Sequence, residues 1–238
     1  MIKEALQYIV GLSEAKTQEI NGHVYSDKDL IRISYNPKAA AISMSTLTSL
    51  VDYIKAGIDK MSDKMIIQVV DPLTVRLISM LDDERKREVL VEVTGQVPQI
   101  TFNRYIDRES FNIALQSKFI HDDNVALLLK FVGTVQSESV AAYGDDGVSQ
   151  KATIKKGIAG SQDALVPNPV VLRPYRTFME VEQPASSFVF RMKDDRDIEC
   201  AIFEADGGAW KNAAMQNIKD YLEYELSEYS SLRLFHNT

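Results

Sequence analysis

Residues 65–93 read MIIQVV-DP-LTVRLISML-DDERKRE-VLVEV, and they decide the fold class. Met65 to Val70 is a β-type run. Asp71-Pro72 breaks it, because proline has a fixed φ and no amide to give a ladder. Leu73 to Leu81 follows as a strand or a short helix. Asp82 to Glu88 is an unbroken charged run that suits a solvated hairpin tip, and Val89 to Val93 is the returning strand. Strands that follow one another without an intervening helix predict an α+β fold built mainly from antiparallel hairpins.

The clearest helix lies just upstream, from about Thr46 to Met61. Leu47, Leu50, Val51, Ile54, Ile58 and Met61 fall on one face at helical spacing. Ser45 is the expected cap, its hydroxyl accepting from a first-turn amide. Further back, Leu30–Ser34 and Ala39–Met44 read as strands. Asn21-Gly22 between Thr17–Ile20 and His23–Ser26 is a hairpin signal, because both turn residues accept positive φ. Met1 to Leu12 is an amphipathic helix with Ile2, Leu6, Ile9 and Val10 together.

Downstream, Gly95 to Pro98 is a possible internal boundary within what reads as a single globular domain over 1–238. A mid-chain helix pair follows, Arg108–Ile120 and Asp123–Val132, capped by Asp107 and Asp122. Val140–Tyr143 and Val148–Ile154 form a hairpin around Gly144–Gly147. Lys155–Asn168 reads as loop. Val170–Val181 is a long strand bent at Pro174, Ser187–Met192 and Ile198–Phe203 form another hairpin, and a long C-terminal helix runs from about Ala209 to Tyr229. The segment holding His236 reads as a frayed tail.

Composition excludes several classes. At 238 residues and 45% hydrophobic, the chain can bury a core without staples. Cys200 is the single cysteine, so no intrachain disulfide forms, and its alternation with Ile198 and Ile202 marks a buried structural thiol. Met1–Leu12 carries Lys3 and Glu4 and lacks the pattern of a secretory leader. The longest apolar candidate, Val125–Val132, is interrupted by Lys130 and falls short of the ~20 residues of a membrane span. A net charge of −7 argues against nucleic acid as partner, since that affinity comes largely from cations on phosphates.

Motifs for chemistry are sparse. His23, His121 and His236 match no metal-ligand spacing, and His121 reads as part of the cap before Asp122-Asp123. No nucleophile elbow or phosphate-loop motif occurs, so neither a cofactor nor a metal is expected. Glu204 and Asp206, followed by Gly207-Gly208, form either an acidic pair or a helix cap after a tight turn. The arginines carry the sharpest hint. Arg173 and Arg176 flank Pro174-Tyr175 on a stiff segment, and Arg191 follows on the next strand. Guanidinium groups suit phosphate and carboxylate, so Arg173, Arg176 and Arg191, completed by Lys155 and Lys156 from a glycine-containing loop, form a candidate anion site. Alternation would place Arg173 and Arg176 on opposite faces of a regular strand unless a bulge intervenes. The alternative is internal pairing with Glu180, Glu182, Glu199 or Glu204.

The stretches Gly-Asp-Asp-Gly-Val (144–148), Leu-Arg-Pro-Tyr-Arg-Thr-Phe (172–178), Glu-Gln-Pro (182–184), Phe-Val-Phe-Arg (188–191) and Phe-Glu-Ala-Asp-Gly-Gly-Ala-Trp (203–210) resemble an uncharacterised family of tailed phages and prophages, one type of which an enterobacterial cryptic prophage encodes. The resemblance covers mainly the C-terminal two-fifths. It implies a viral product made in the host bacterial cytoplasm, and it brings no activity. The expected function is a non-enzymatic binding protein that assembles with itself and counteracts host defence by sequestering an anionic nucleotide signal or a host protein. The alternatives are an accessory to phage DNA replication or recombination, a metal-dependent nucleotide hydrolase or nuclease built on Glu204 and Asp206, and a virion component.

Overall fold

The computed structural model describes residues 2–13, 15–28, 38–57, 59, 64–82, 85–134, 140–145, 150–155, 161–166, 168–194, 197–229 and 232–236. The chain is α+β and divides into two compact units, Met1–Ala39 and Ala40–Thr238. In the first, helix α1 (Ile2–Ser13) precedes a hairpin of β1 (Thr17–Ile20) and β2 (His23–Ser26). Asn21 and Gly22 turn it with φ of 52° and 76°, the positive values the pair was expected to supply. The strand expected over Leu30–Ser34 lies outside the described residues.

The second unit holds two hydrophobic cores. The first is built on a five-stranded sheet, β14-β4-β5-β6-β3. Its centre is the expected meander of β4 (Met65–Asp71), β5 (Thr74–Ser79) and β6 (Val89–Thr94), and Leu73–Leu81 resolves as strand. Both edges are parallel: β3 (Ile42–Met44) lies along β6, and β14 (Leu232–His236) along β4. The tail read as frayed is therefore an edge strand, paired in register with β4 from Leu232 to His236. Helix α2 (Leu47–Ala56) buries Leu47, Leu50, Val51, Tyr53 and Ile54 against the sheet. Thr46, rather than Ser45, caps it by accepting from the Ser49 amide at 3.2 Å. Gly57, at φ 58°, ends it in the left-handed conformation that glycine adopts without penalty. Helix α5 (Trp210–Glu225) adds Met215, Ile218 and Leu222 to the same core.

The second core begins after Gly95. Helices α3 (Arg108–Lys118) and α4 (Asp123–Thr134) cover a four-stranded antiparallel sheet, β11-β12-β13-β7, of Val170–Leu172, Ser186–Asp194, Ile198–Glu204 and Ile106–Asp107. Asp107 and Asp122 cap the helices as expected, accepting from the Ser110 and Val125 amides. His121 is not part of that cap; its ring nitrogen lies 2.7 Å from the Gln116 carbonyl of α3. A separate antiparallel sheet joins β8 (Val140–Asp145), β9 (Gln150–Lys155) and β10 (Ser161–Val166), so part of the expected loop over Lys155–Asn168 is strand.

The segment after β11 departs most from expectation. Only Val170–Leu172 pairs with β12; Pro174 then turns the chain against the α3–α4 connection. There the Ile120 amide donates to the Arg173 carbonyl and the Tyr175 amide to that of Lys118. Leu172 belongs to the second core, yet Phe178 and Val181 belong to the first. Gly95 makes room for this crossing: a Cβ there would meet the Phe178 ring and Leu73 at 3.1 Å.

Candidate functional site

The crossing segment is fixed by one buried carboxamide. Gln183 Oε1 accepts from the amides of Arg176 and Thr177 at 3.0 and 3.2 Å, and its Nε2 donates to the Phe178 carbonyl at 2.9 Å. Thr177 Oγ1 donates to the Pro72 carbonyl at 2.6 Å. The Arg176 and Thr177 amides, which have no strand partner, are thus satisfied, as burial requires.

That anchoring sends the Arg176 side chain inward, where it is 6% exposed. Its Nη1 donates to Glu204 Oε1 at 3.0 Å, and its Nη2 to Ser186 Oγ. Asp206 Oδ2 stands 3.9 Å from Nη2. The guanidinium lies 3.9 Å from the centre of the Trp210 ring and 5.7 Å from that of Phe188, a cation–π arrangement on the indole. Burial lowers the Arg176 pKa to about 10 against the opposing pull of Glu204 and Asp206, which leaves it charged at neutral pH. Burial alone would raise Asp206, but the Ser186 hydroxyl, the Gly208 and Trp210 amides and Arg176 together hold it below its usual value. Asp206 Oδ1 accepts from the Gly208 amide at 3.0 Å, in a turn where Gly207 and Gly208 adopt φ of 63° and 84°. Arg176 Nε and Asp206 Oδ2 are buried without a hydrogen-bond partner. A pocket of about 240 Å³, lined by Ser186, Asp206, Trp210 and small neighbours, opens beside them.

Arg173 has a different setting. Its side chain is 36% exposed and forms long ion pairs with Asp122 at 3.7 Å and Glu182 at 3.9 Å. Arg191 Nη1 donates to the Phe190 carbonyl. Alternation along β12 puts Arg191 on the face opposite Phe188 and Phe190, and so opposite Arg176. Lys155 ends β9, and Lys156 lies outside the described residues.

Arg173 and Arg176 therefore point to different surroundings, and each meets the internal carboxylate pairing that the sequence left as the alternative. Of the expected partners, Glu182 and Glu204 are used. Asp122, Asp206 and Ser186 were not foreseen in this role, and Trp210 was read only as a helix residue. Cys200 is fully buried, which raises its thiol pKa to about 12 and makes it a core residue. Among the described residues no group of three His, Cys, Asp or Glu side chains is placed to hold a metal ion, and no helix is long and apolar enough to cross a membrane. No family model, curated protein or solved structure matches the chain.

Proposed function

We propose that this chain is a phage-encoded binding protein of the host cytoplasm, without catalysis of its own, that sequesters a small anionic ligand through Arg173. The observation that carries this reading is the looseness of Arg173: a half-exposed guanidinium with two carboxylates beyond hydrogen-bonding distance. A long, solvated pair such as that with Glu182 contributes about 0–1 kcal/mol, so an incoming phosphate that makes short, bidentate contacts displaces Glu182 readily, while Asp122 stays in place as the cap of α4. Glu182, at 76% exposure, is free to swing aside. Tyr175 stands two residues on and is half-buried, beside the same bridge to Lys118, and offers a ring for a nucleobase. A nucleotide signal of host defence is the ligand class this combination suits. The hydrolase alternative is disfavoured because Glu204 and Asp206 already serve Arg176.

Calorimetric titration with a panel of mono- and cyclic nucleotides tests the reading. Binding that disappears in Arg173→Ala and persists in Arg191→Ala is the expected result. No binding by the wild-type chain to any member of the panel, or binding indifferent to Arg173, overturns it. Self-association belongs to the same proposal and is supported by the exposed apolar side chains of α1, Ile2, Leu6, Ile9 and Val10. Light scattering at micromolar concentration should give a mass above that of one chain.

A further inference from the structure

We propose that Ser186, Glu204, Asp206 and Trp210 form a guanidinium-recognition cage that exists independently of its occupant and is filled by the chain's own Arg176, so that an arginine side chain from outside enters it when Arg176 is withdrawn. The backbone of each wall is anchored without help from Arg176. Ser186 starts β12 and Glu204 ends β13, in strands paired directly through Phe188 and Glu204. The Glu204 amide is tied to Asn103 Oδ1 at 3.1 Å, and Asp206 to the Gly208 amide. Trp210 opens α5, whose buried face belongs to the first core.

The chemistry of the walls selects the ligand. A vacated cage presents two carboxylates and no cation, so it favours positive charge. The indole 3.9 Å from the guanidinium and the spread of Glu204, Ser186 and Asp206 match a flat, forked donor better than a compact ammonium. A pocket of about 240 Å³, walled by Ser186, Asp206 and Trp210, opens beside the cage. Its remaining lining, Val171, Ala185 and Ala213 among it, suits the methylene stem of an arginine.

Trp210 is the only tryptophan of the chain, so its emission reports on the cage directly. In Arg176→Ala, millimolar methylguanidinium should produce a saturable change in that emission and raise the melting temperature towards the wild-type value. Methylammonium at the same concentrations should do neither, and adding Asp206→Asn should weaken the methylguanidinium effect at least tenfold. No saturable response, or an equal response to methylammonium, overturns the proposal. The wild-type chain gives a second reading should Arg176→Ala fail to fold. In ¹⁵N NMR, the Arg176 side-chain protons should appear as resolved, slowly exchanging signals. A single averaged, rapidly exchanging set would show that no cage holds it.

Discussion

Arg173 and Arg176 stand on one short segment, separated by a proline and a tyrosine, and their surroundings are opposite in kind. The corner under Trp210 is closed: Arg176 is stripped of water, stacked on an indole and shared between two carboxylates. The rim beside Asp122 is open: Arg173 keeps its solvent and touches carboxylates only loosely. Residue type and formal charge are the same, so the difference comes from what the backbone does between them. Pro174 pairs across to Phe119, and Gln183 grips the Arg176 and Thr177 amides, which turns the Arg176 side chain inward. The closed corner lies on the segment that joins the two cores, while the open rim leaves Arg173 partly solvated.

The largest way to break this comparison is to empty the closed corner. Arg176→Ala leaves the buried Asp206 carboxylate without its cation, and removing one partner of a buried pair costs about 3–5 kcal/mol. Urea denaturation should show that loss with an unchanged slope; a loss below about 1 kcal/mol would mean the corner is solvated like the rim. Gln183→Ala comes next. It strands the Arg176 and Thr177 amides, and an unsatisfied buried donor costs about 1–3 kcal/mol. Thiol labelling follows both variants, because the Cys200 pKa of about 12 and full burial should keep it unreactive at pH 8 until the second core opens.

How far the two regions were legible differs for a physical reason. The meander over Met65–Val93, the caps at Asp107 and Asp122 and the Asn21-Gly22 turn are local: period, cap and turn chemistry sit within a few residues of what they control. The strand at β3 was legible within Ala39–Met44, but its parallel pairing with β6 and the edge strand β14 were not, because their partners lie far away in sequence, and neither was the truncation of the Val170–Val181 strand. Arginine spacing drew attention to the segment that crosses between the two cores. It did not separate Arg173 from Arg176, since that depends on Gln183 and on carboxylates that only the folded chain brings near. Ser45 against Thr46 as cap is a smaller miss of the same kind: both residue types cap, and backbone geometry chooses.

Acid should sharpen the comparison by acting on the closed corner. The folded-state pKa of Asp206 lies below its ordinary value, so it contributes stability that is present above the unfolded value of about 3.9 and is lost as pH falls through the folded one. The melting temperature of the wild-type chain should therefore drop below about pH 4. Asp206→Asn should start lower at neutral pH and show a shallower drop. Parallel curves for the two proteins would place the acid sensitivity elsewhere.

The smallest stability effect belongs to the open rim, and there the function is at stake. Arg173 is solvated, its ion pairs are long, and both carboxylates have water to fall back on, so Arg173→Ala should change stability by less than about 1 kcal/mol. Asp122 still caps α4 through the Val125 amide, and that bond does not depend on Arg173. If the rim is the anion site, the same substitution removes nucleotide binding altogether. Arg173→Lys should restore only part of it, because an ammonium keeps the charge and loses the bidentate fork. The two regions are thus distinguished by opposite ratios of effect: a large stability loss at Arg176, and a large binding loss at nearly constant stability at Arg173. A stability loss at Arg173 comparable to that at Arg176 would merge the rim with the corner and remove the basis for placing a ligand there.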